Sequence, residues 1–270
     1  MTNLLTQSAV ERLNSPLARR VEFHDEVAST QDLALELAHA GAPHGTLVIS
    51  RIQTGGHGRL GRSWGSPPGG IWMSIVLRPE LEARYAPRMT QAAAVGVAKA
   101  LHEIGVEARI KWPNDLLVEG KKICGILAVG GPAARREKTY QTEFVILGIG
   151  LNANLDPSDL GVSVEQAATI RSVLGHDVDL LELLDSLLSH LEHGIRHVKN
   201  FEPILRDWRE FNCTLGERVR VRRSGQDFEG LALDLNPHGA LRVATETGTI
   251  DLFEGEIEYV RPHSGDDGSE

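Results

Sequence analysis

The segment Gln53-Thr54-Gly55-Gly56-His57-Gly58-Arg59-Leu60-Gly61-Arg62-Ser63-Trp64 constrains the fold more than any other stretch of the chain. Its glycines at 56, 58 and 61 match the GxGxxG spacing of a dinucleotide-binding turn. Such a turn must open into a helix, so that a pyrophosphate meets the helix N-terminus. Here Gly65-Ser66-Pro67-Pro68-Gly69-Gly70 follows, and then the apolar run 71–77, which reads as a strand. A strand at 46–52 precedes the loop. A glycine-rich loop between two strands speaks against a dinucleotide site and leaves two readings. One is a solvated basic surface loop. The other is a flexible backbone whose Arg59, Arg62 and His57 close over a phosphate-bearing ligand.

The rest of the chain reads as helices and strands in hairpin-like groups, which predicts an α+β fold rather than strict βαβ alternation. Residues 21–24 form a strand, and Ser29 or Thr30 caps a helix that stops at Gly41. Residues 87–105 are rich in Ala and Val at helical spacing and predict a buried helix. Short strands at 107–111 and 116–118 lead to a hairpin turn at Glu119-Gly120, with 122–129 returning. The apolar run 144–151 suits a central strand. Helices are expected over 164–174 and 180–198, the second with leucines at 180, 184, 187, 188 and 191 on one stripe. Pro203 should break that pattern ahead of a shorter helix at 204–211. From Gly216 the texture changes. Turns at Ser224-Gly225, Pro237-His238-Gly239 and Thr247-Gly248 separate short strands about ten residues apart, which suggests a small β-barrel. The predicted organisation is an extension at 1–20, a main domain at 21–214, a barrel at 215–262 and a frayed polar tail at 263–270.

Charge and cysteine content narrow the function. A formal net charge of −9 over 270 residues argues against general affinity for nucleic acid or an anionic membrane. Any phosphate site must therefore be a local basic cluster on an acidic body. Cys124 and Cys213 form no CxxC pair, which excludes a disulfide framework and a cysteine zinc site and fits reduced thiols in the cytosol. No window approaches the ~18 apolar residues that span a bilayer, so a soluble cytoplasmic protein is expected.

Two further segments stand out. Lys111-Trp112-Pro113-Asn114-Asp115 faces Lys121-Lys122-Ile123-Cys124-Gly125-Ile126 across the predicted hairpin. Trp112 suits a core anchor and Lys111 a solvated strand end. Neither explains two lysines, an Asn and an Asp gathered at one hairpin. Lysines supply point charges at a phosphoryl site, while Asn and Asp can hold Mg²⁺ or orient an amine. Gly148-Ile149-Gly150-Leu151-Asn152-Ala153-Asn154 ends an apolar strand with glycines that admit close approach by a ligand or another strand.

In this order the three segments resemble the signature of the biotin–protein ligase family: a GRGRxGRxW-type loop, KWPND with a following Lys and Gly, and a GIGxN strand end. Ser29-Thr30-Gln31 corresponds to the family's Ser-Thr-Asn, and the resemblance runs over about residues 21–262. His57 and Leu60 stand where the family often has Arg, and Gln31 where it has Asn. The resemblance implies a mixed sheet flanked by helices, as in class II synthetases, with a C-terminal SH3-like barrel. It implies that biotin and Mg-ATP are substrates, with no tightly bound cofactor. Biotinyl-5'-AMP would form first, and biotin would then pass to a lysine of a biotin carboxyl carrier protein.

By the same resemblance Ser29, Thr30, Gln31, Gln53, Gly56, His57, Gly58, Trp64, Gly125, Gly148 and Gly150 belong to the biotin site. Ser29, Thr30 and Gln53 would meet the ureido ring, and Trp64 the valeryl chain. Arg59 and Lys122 would hold carboxylate and α-phosphate together. Arg62, Lys111, Asn114 and Asn152 would serve ATP, and Asp115 either Mg²⁺ or the acceptor amine. Arg59, Lys111, Lys122 and Asp115 are thus the candidate catalytic set, a homodimer is compatible, and Cys124 is expected to be a packed thiol. A lipoate ligase or octanoyl transferase is disfavoured by KWPND, and a non-catalytic nucleotide-binding module is the remaining rival. A DNA-binding repressor would need a helix-turn-helix ahead of the first strand, where only about twenty residues stand. The loop 55–65 is expected to order over the adenylate, since its glycines make ordering costly and its cations repel until an anion arrives.

Overall fold

The computed structural model describes residues 5–136, 139–223, 226–253 and 255–260. The expected turn at Ser224-Gly225 and the tail 263–270 lie outside them. The chain opens with a short helix α1 (Gln7–Val10), strand β1 (Arg20–Val27), helix α2 (Thr30–His39), and strands β2 (Thr46–Gln53) and β3 (Ile71–Leu77). Helix α3 (Pro87–Glu103) leads to β4 (Arg109–Lys111), β5 (Asp115–Val118) and β6 (Lys121–Gly130). A small hairpin, β7 (Ala133–Arg136) and β8 (Thr139–Thr142), precedes β9 (Val145–Leu151). Then come α4 (Ile170–Leu174), α5 (Leu180–Arg196) and α6 (Glu202–Phe211). The C-terminal strands are β10 (Arg218–Arg223), β11 (Gln226–Leu235), β12 (Leu241–Thr245), β13 (Gly248–Leu252) and β14 (Glu256–Tyr259).

Seven strands make one mixed sheet in the order β1-β2-β3-β9-β6-β5-β4, parallel only between β1 and β2. The fold is α+β, with helices on both faces of that sheet. Alternation along the strands divides the core as the pleat requires. Val48, Val76 and Ile146 pack with Ala34 and Ala38 of α2. Their neighbours Leu47, Ile49, Ile75 and Leu147 join the cluster built by α3, α5 and α6 on the other face. Leu184, Leu187, Leu188 and Leu191 of α5 are fully buried there, a burial worth about 1.5–3 kcal/mol for each side chain.

The hairpin turn expected at Glu119-Gly120 is present, with both residues at positive φ. Other expectations need correction. The helix expected over 164–174 is confined to Ile170–Leu174, because Thr169 and Ser172 cap its start reciprocally. Ahead of it residues 164–166 turn, and from Ala167 the chain pairs with Lys122, whose N–H donates to the Gln166 carbonyl at 2.8 Å. Pro203 opens α6 from its first turn rather than standing before it, a position where its missing N–H costs nothing. The β7–β8 hairpin lacks apolar alternation and was not foreseen. Leu5, Val10, Leu17 and Ala18, ahead of β1, are buried in the main core.

The C-terminal strands form a five-stranded antiparallel sheet in the order β13-β12-β11-β10-β14. Among the described residues it is open, with β13 and β14 at its edges, so the closed barrel expected from the turn spacing is not formed by these pairings. Arg88 and Trp112 are among the residues that seat this sheet. Arg88 of α3 is buried, donating to the Pro237 carbonyl at 2.6 and 2.9 Å and to the Val198 carbonyl at 3.0 Å. The Trp112 N–H donates to Thr214 Oγ1 at 3.0 Å, so the KWPND segment is fastened to the start of the C-terminal region. No described helix is long and apolar enough to cross a membrane.

Candidate active site

A cavity of about 350 Å³ lies where the glycine-rich loop folds back over β6 and β9. Ser29, Thr30, Gln31, Gln53, His57, Gly58, Arg59, Arg62 and Trp64 line it, with Lys111, Asn114, Asp115, Lys122, Gly125, Gly148, Gly150 and Asn152. Of the residues singled out from the sequence, only Gly56 is not part of the lining. Its carbonyl instead accepts from the Trp64 N–H at 2.8 Å and helps close the loop into an irregular hairpin, with Gly58 donating to the Arg62 carbonyl at 2.7 Å.

One end of the cavity is a buried chain of neutral polar groups. Ser29 caps α2 by accepting from the Asp32 N–H at 3.3 Å, which sets Thr30 and Gln31 on the first turn. The Thr30 N–H and Oγ1 both donate to Gln53 Oε1, at 2.8 and 3.0 Å. Gln53 Nε2 donates to Ser66 Oγ at 2.8 Å. Thr30 Oγ1 also lies 3.0 Å from Ser74 Oγ, which donates to Gln31 Oε1 at 3.1 Å. A Cβ on Gly148 would stand 2.3 Å from Gln31 Oε1, so only glycine leaves room for that amide. Ser74 was missed in the sequence, although a lone serine in an otherwise apolar strand is the kind of buried polar group that needs a partner.

Trp64 forms the middle of the site. Gly125 and Gly150 are partners across β6 and β9, and the indole lies against both. A Cβ on Gly150 would fall 2.4 Å from Trp64 Nε1, and one on Gly125 would fall 3.2 Å from the ring. Lys122 Nζ sits over the indole, 4.9 Å from the ring centroid, and 2.7 Å from Asp115 Oδ1. One lysine is thereby held between a carboxylate and a π-face.

The other end is cationic. Arg59 Nη1 donates to Asn114 Oδ1 and to the Gly255 carbonyl, both at 3.2 Å. Arg62 pairs with Glu256 at 2.5 Å, and Lys111 Nζ lies 5.1 Å from the Tyr259 ring centroid. Gly255, Glu256 and Ile257 line the cavity too, and no local signal in the sequence points to them. His57 is turned to Asp32, 3.0 Å from Oδ1. Asn152 donates to the Ala168 carbonyl at 3.0 Å, while its own Oδ1 is buried with no hydrogen-bond partner among the described residues. Cys124 is buried beneath the site, and burial pushes its thiol far above the ordinary range, which suits packing and not nucleophilic attack. No group of three or more His, Cys, Asp or Glu able to hold a metal occurs among the described residues.

A model of the biotin/lipoate A/B protein ligase family matches residues 24–152, and one of the biotin protein ligase C-terminal domain matches residues 214–260. The biotin–[acetyl-CoA-carboxylase] ligase of Paracoccus denitrificans is 34% identical over 85% of this chain and 96% of its own. The chain belongs to the biotin protein ligase family. The bifunctional ligase/repressor BirA of Bacillus subtilis is 35% identical, over 90% of this chain and 74% of its own length. Among solved structures, the biotin protein ligase from Aquifex aeolicus in complex with biotin and ATP superposes with a TM-score of 0.73. It is 28% identical and covers 90% of this chain and 100% of that one.

The ring contact yields a test that needs no ligand. Gly150→Ala should lift the Trp64 indole off the sheet and move its N–H resonance in an NMR spectrum. Trp208, fully buried on α6 away from the cavity, should keep its own. An unmoved Trp64 signal would mean that the ring does not rest on Gly150.

Proposed function

We propose that this member of the family condenses biotin with ATP to biotinyl-5'-AMP and then transfers biotin to a lysine of a carboxyl carrier domain. The observation that carries the proposal is the polarity sequence along one cavity. Buried neutral hydrogen-bonding groups give way to an aromatic face and then to clustered cations. Biotin has the same order, an uncharged ureido ring, an aliphatic chain and a carboxylate.

In this reading Ser29, Thr30, Gln31 and Gln53 hold the ureido head, and Trp64 covers the chain. Gly125, Gly148 and Gly150 keep the backbone low enough to admit it. His57 and Gly58 border the ligand, and Gly56 shapes the loop from behind. Arg59 and Lys122 hold the carboxylate against the α-phosphate, while Arg62, Lys111, Asn114 and Asn152 bind the nucleotide. Two anions must be brought into contact, and fixed cations offset that repulsion without reorganising during the reaction.

A carboxylate oxygen attacks the α-phosphorus and the bond to pyrophosphate breaks. The neutral amine of the carrier lysine then attacks the acyl carbon, AMP departs with the electrons of the C–O bond, and the amine loses a proton. Substrate provides both carboxylate and amine, so no protein nucleophile is needed. Mg²⁺ arrives with ATP and takes most of its ligands from phosphate oxygens and water. In this reading Asp115, which pairs with Lys122 at 2.7 Å, would serve one remaining position or the incoming amine.

We assign catalysis to residues 21–214 and an SH3-like module, whose sheet is open among the described residues, to residues 215–262. Two unpaired thiols suit a reducing cytoplasm.

With Mg-ATP and labelled biotin, the protein should modify one lysine of a carboxyl carrier domain. Labelling with lipoate in place of biotin would refute the assignment. Arg59→Gly should keep the first step but hold the adenylate less well, by about 1.5–3 kcal/mol for a hydrogen bond to a charged group. The released adenylate should then label lysines of a bystander such as albumin, whereas release at the wild-type rate would deny Arg59 that role. Specific DNA binding is not expected at a net charge of −9. A gel shift with operator-like DNA that persists at physiological salt would contradict this.

A further inference from the structure

The glycine-rich loop is tied from outside the main sheet, by the strand that ends the described chain. Arg62 Nη2 is 2.5 Å from Glu256 Oε1, and Arg59 Nη1 is 3.2 Å from the Gly255 carbonyl. Glu256 does not hang from a loose segment. It opens β14, where it is the cross-strand partner of Arg222, and the next residue, Ile257, is buried opposite Val221. Gly255 is pressed onto the same support. A Cβ there would meet Val221 Cγ1 at 2.5 Å, and its φ of +150° belongs to glycine. The side chain of Trp112 lies just beyond, 3.8 Å from that Cβ position.

The two partners differ in freedom. Arg62 sits in a loop of glycines and its side chain is 69% exposed, while that of Glu256 is 28% exposed. A mobile cation thus meets a carboxylate held on a packed strand. The loop's other backbone bonds are internal to its hairpin or reach Val27 and Ala28 at its base. Nothing in those bonds holds its tip over the cavity.

We propose that Glu256 is a positioning residue that latches the loop through Arg62, and that this latch sets how long the acyl-adenylate stays enclosed. The inference rests on the function proposed above and adds a role for the C-terminal sheet in selectivity. An enclosed mixed anhydride reaches only an amine presented at the cavity mouth, whereas a released one acylates any lysine it meets. Glu256 touches neither reacting atom. Its effect is on residence time.

The test follows release of labelled biotinyl-adenylate from the full-length protein after a single turnover, together with bystander labelling of albumin. An exposed ion pair is a weak tie, so Glu256→Gln should speed release about two- to five-fold. Glu256→Lys, which sets a cation against Arg62, should speed it further, and Glu256→Asp should lie nearest the wild type. Bystander labelling should rise in the same order. Raising sodium chloride to about 0.5 M should speed release from the wild type more than from Glu256→Gln, because the wild type loses the screened latch in addition to the cation–phosphate contacts that both share. General loosening of the C-terminal sheet would not give that salt pattern. If Glu256→Lys does not fold, Glu256→Gln and the salt series decide alone. Release from Glu256→Gln at the wild-type rate, or an equal salt response in both, would overturn the latch. Failure of the wild type to form any adenylate would instead overturn the proposed function on which it stands.

Discussion

Trp64 lies on the backbone of Gly125 and Gly150, and that contact fixes where the glycine-rich loop returns to the sheet. Removing two side chains from neighbouring central strands opens a flat notch of the width of one indole. The ring fills it, with the Lys122 ammonium over it. Lys122 is thereby aimed along the cavity with Asp115 as its second restraint. The polar chain through Gln53 and Ser66 joins the loop at its other root. The loop is anchored at both ends by close packing, and its tip remains free to be governed by weaker charge contacts.

An acidic protein that handles nucleotide phosphate must keep its cations from repelling one another before substrate arrives. Here each is matched with a group that can yield. Lys122 meets Asp115, Arg62 meets Glu256, and Arg59 is shared between an amide oxygen and a backbone carbonyl. Such partners hold the side chains near their working positions, which lowers the ordering that ligand binding must accomplish. Exposed pairs of this kind add little to stability, so their value lies in position.

The three motif segments were legible because each carries a local rule. A glycine run between strands is a loop, an Asn-Asp after X-Pro is a turn, and glycines ending an apolar strand mark close approach. A cap at Ser29 or Thr30 was equally readable ahead of an apolar helix, and the structure gives that role to Ser29. Ser74 was overlooked because the apolar run around it masked a buried hydroxyl. The over-long helix at 164–174 failed for a tertiary reason, since the backbone of Lys122 pairs with Ala167 and bonds to Gln166 and Ala168, a long-range contact that periodicity does not reveal.

The sequence by itself determined the α+β class and the order of the elements. Those follow from nearest neighbours, from hydrophobic period, caps and turn residues. Only the tertiary structure decided that Gly125 and Gly150 stand side by side, that Ser74 completes the polar chain, and that Gly255 and Glu256 reach the loop. These pairings join residues far apart in the chain, and their distances depend on strand register and on how Arg88 and Trp112 seat the C-terminal sheet. A one-dimensional pattern carries the preference of each segment for its own conformation. It does not carry the packing that brings a carboxylate at one end of the chain to an arginine near the other.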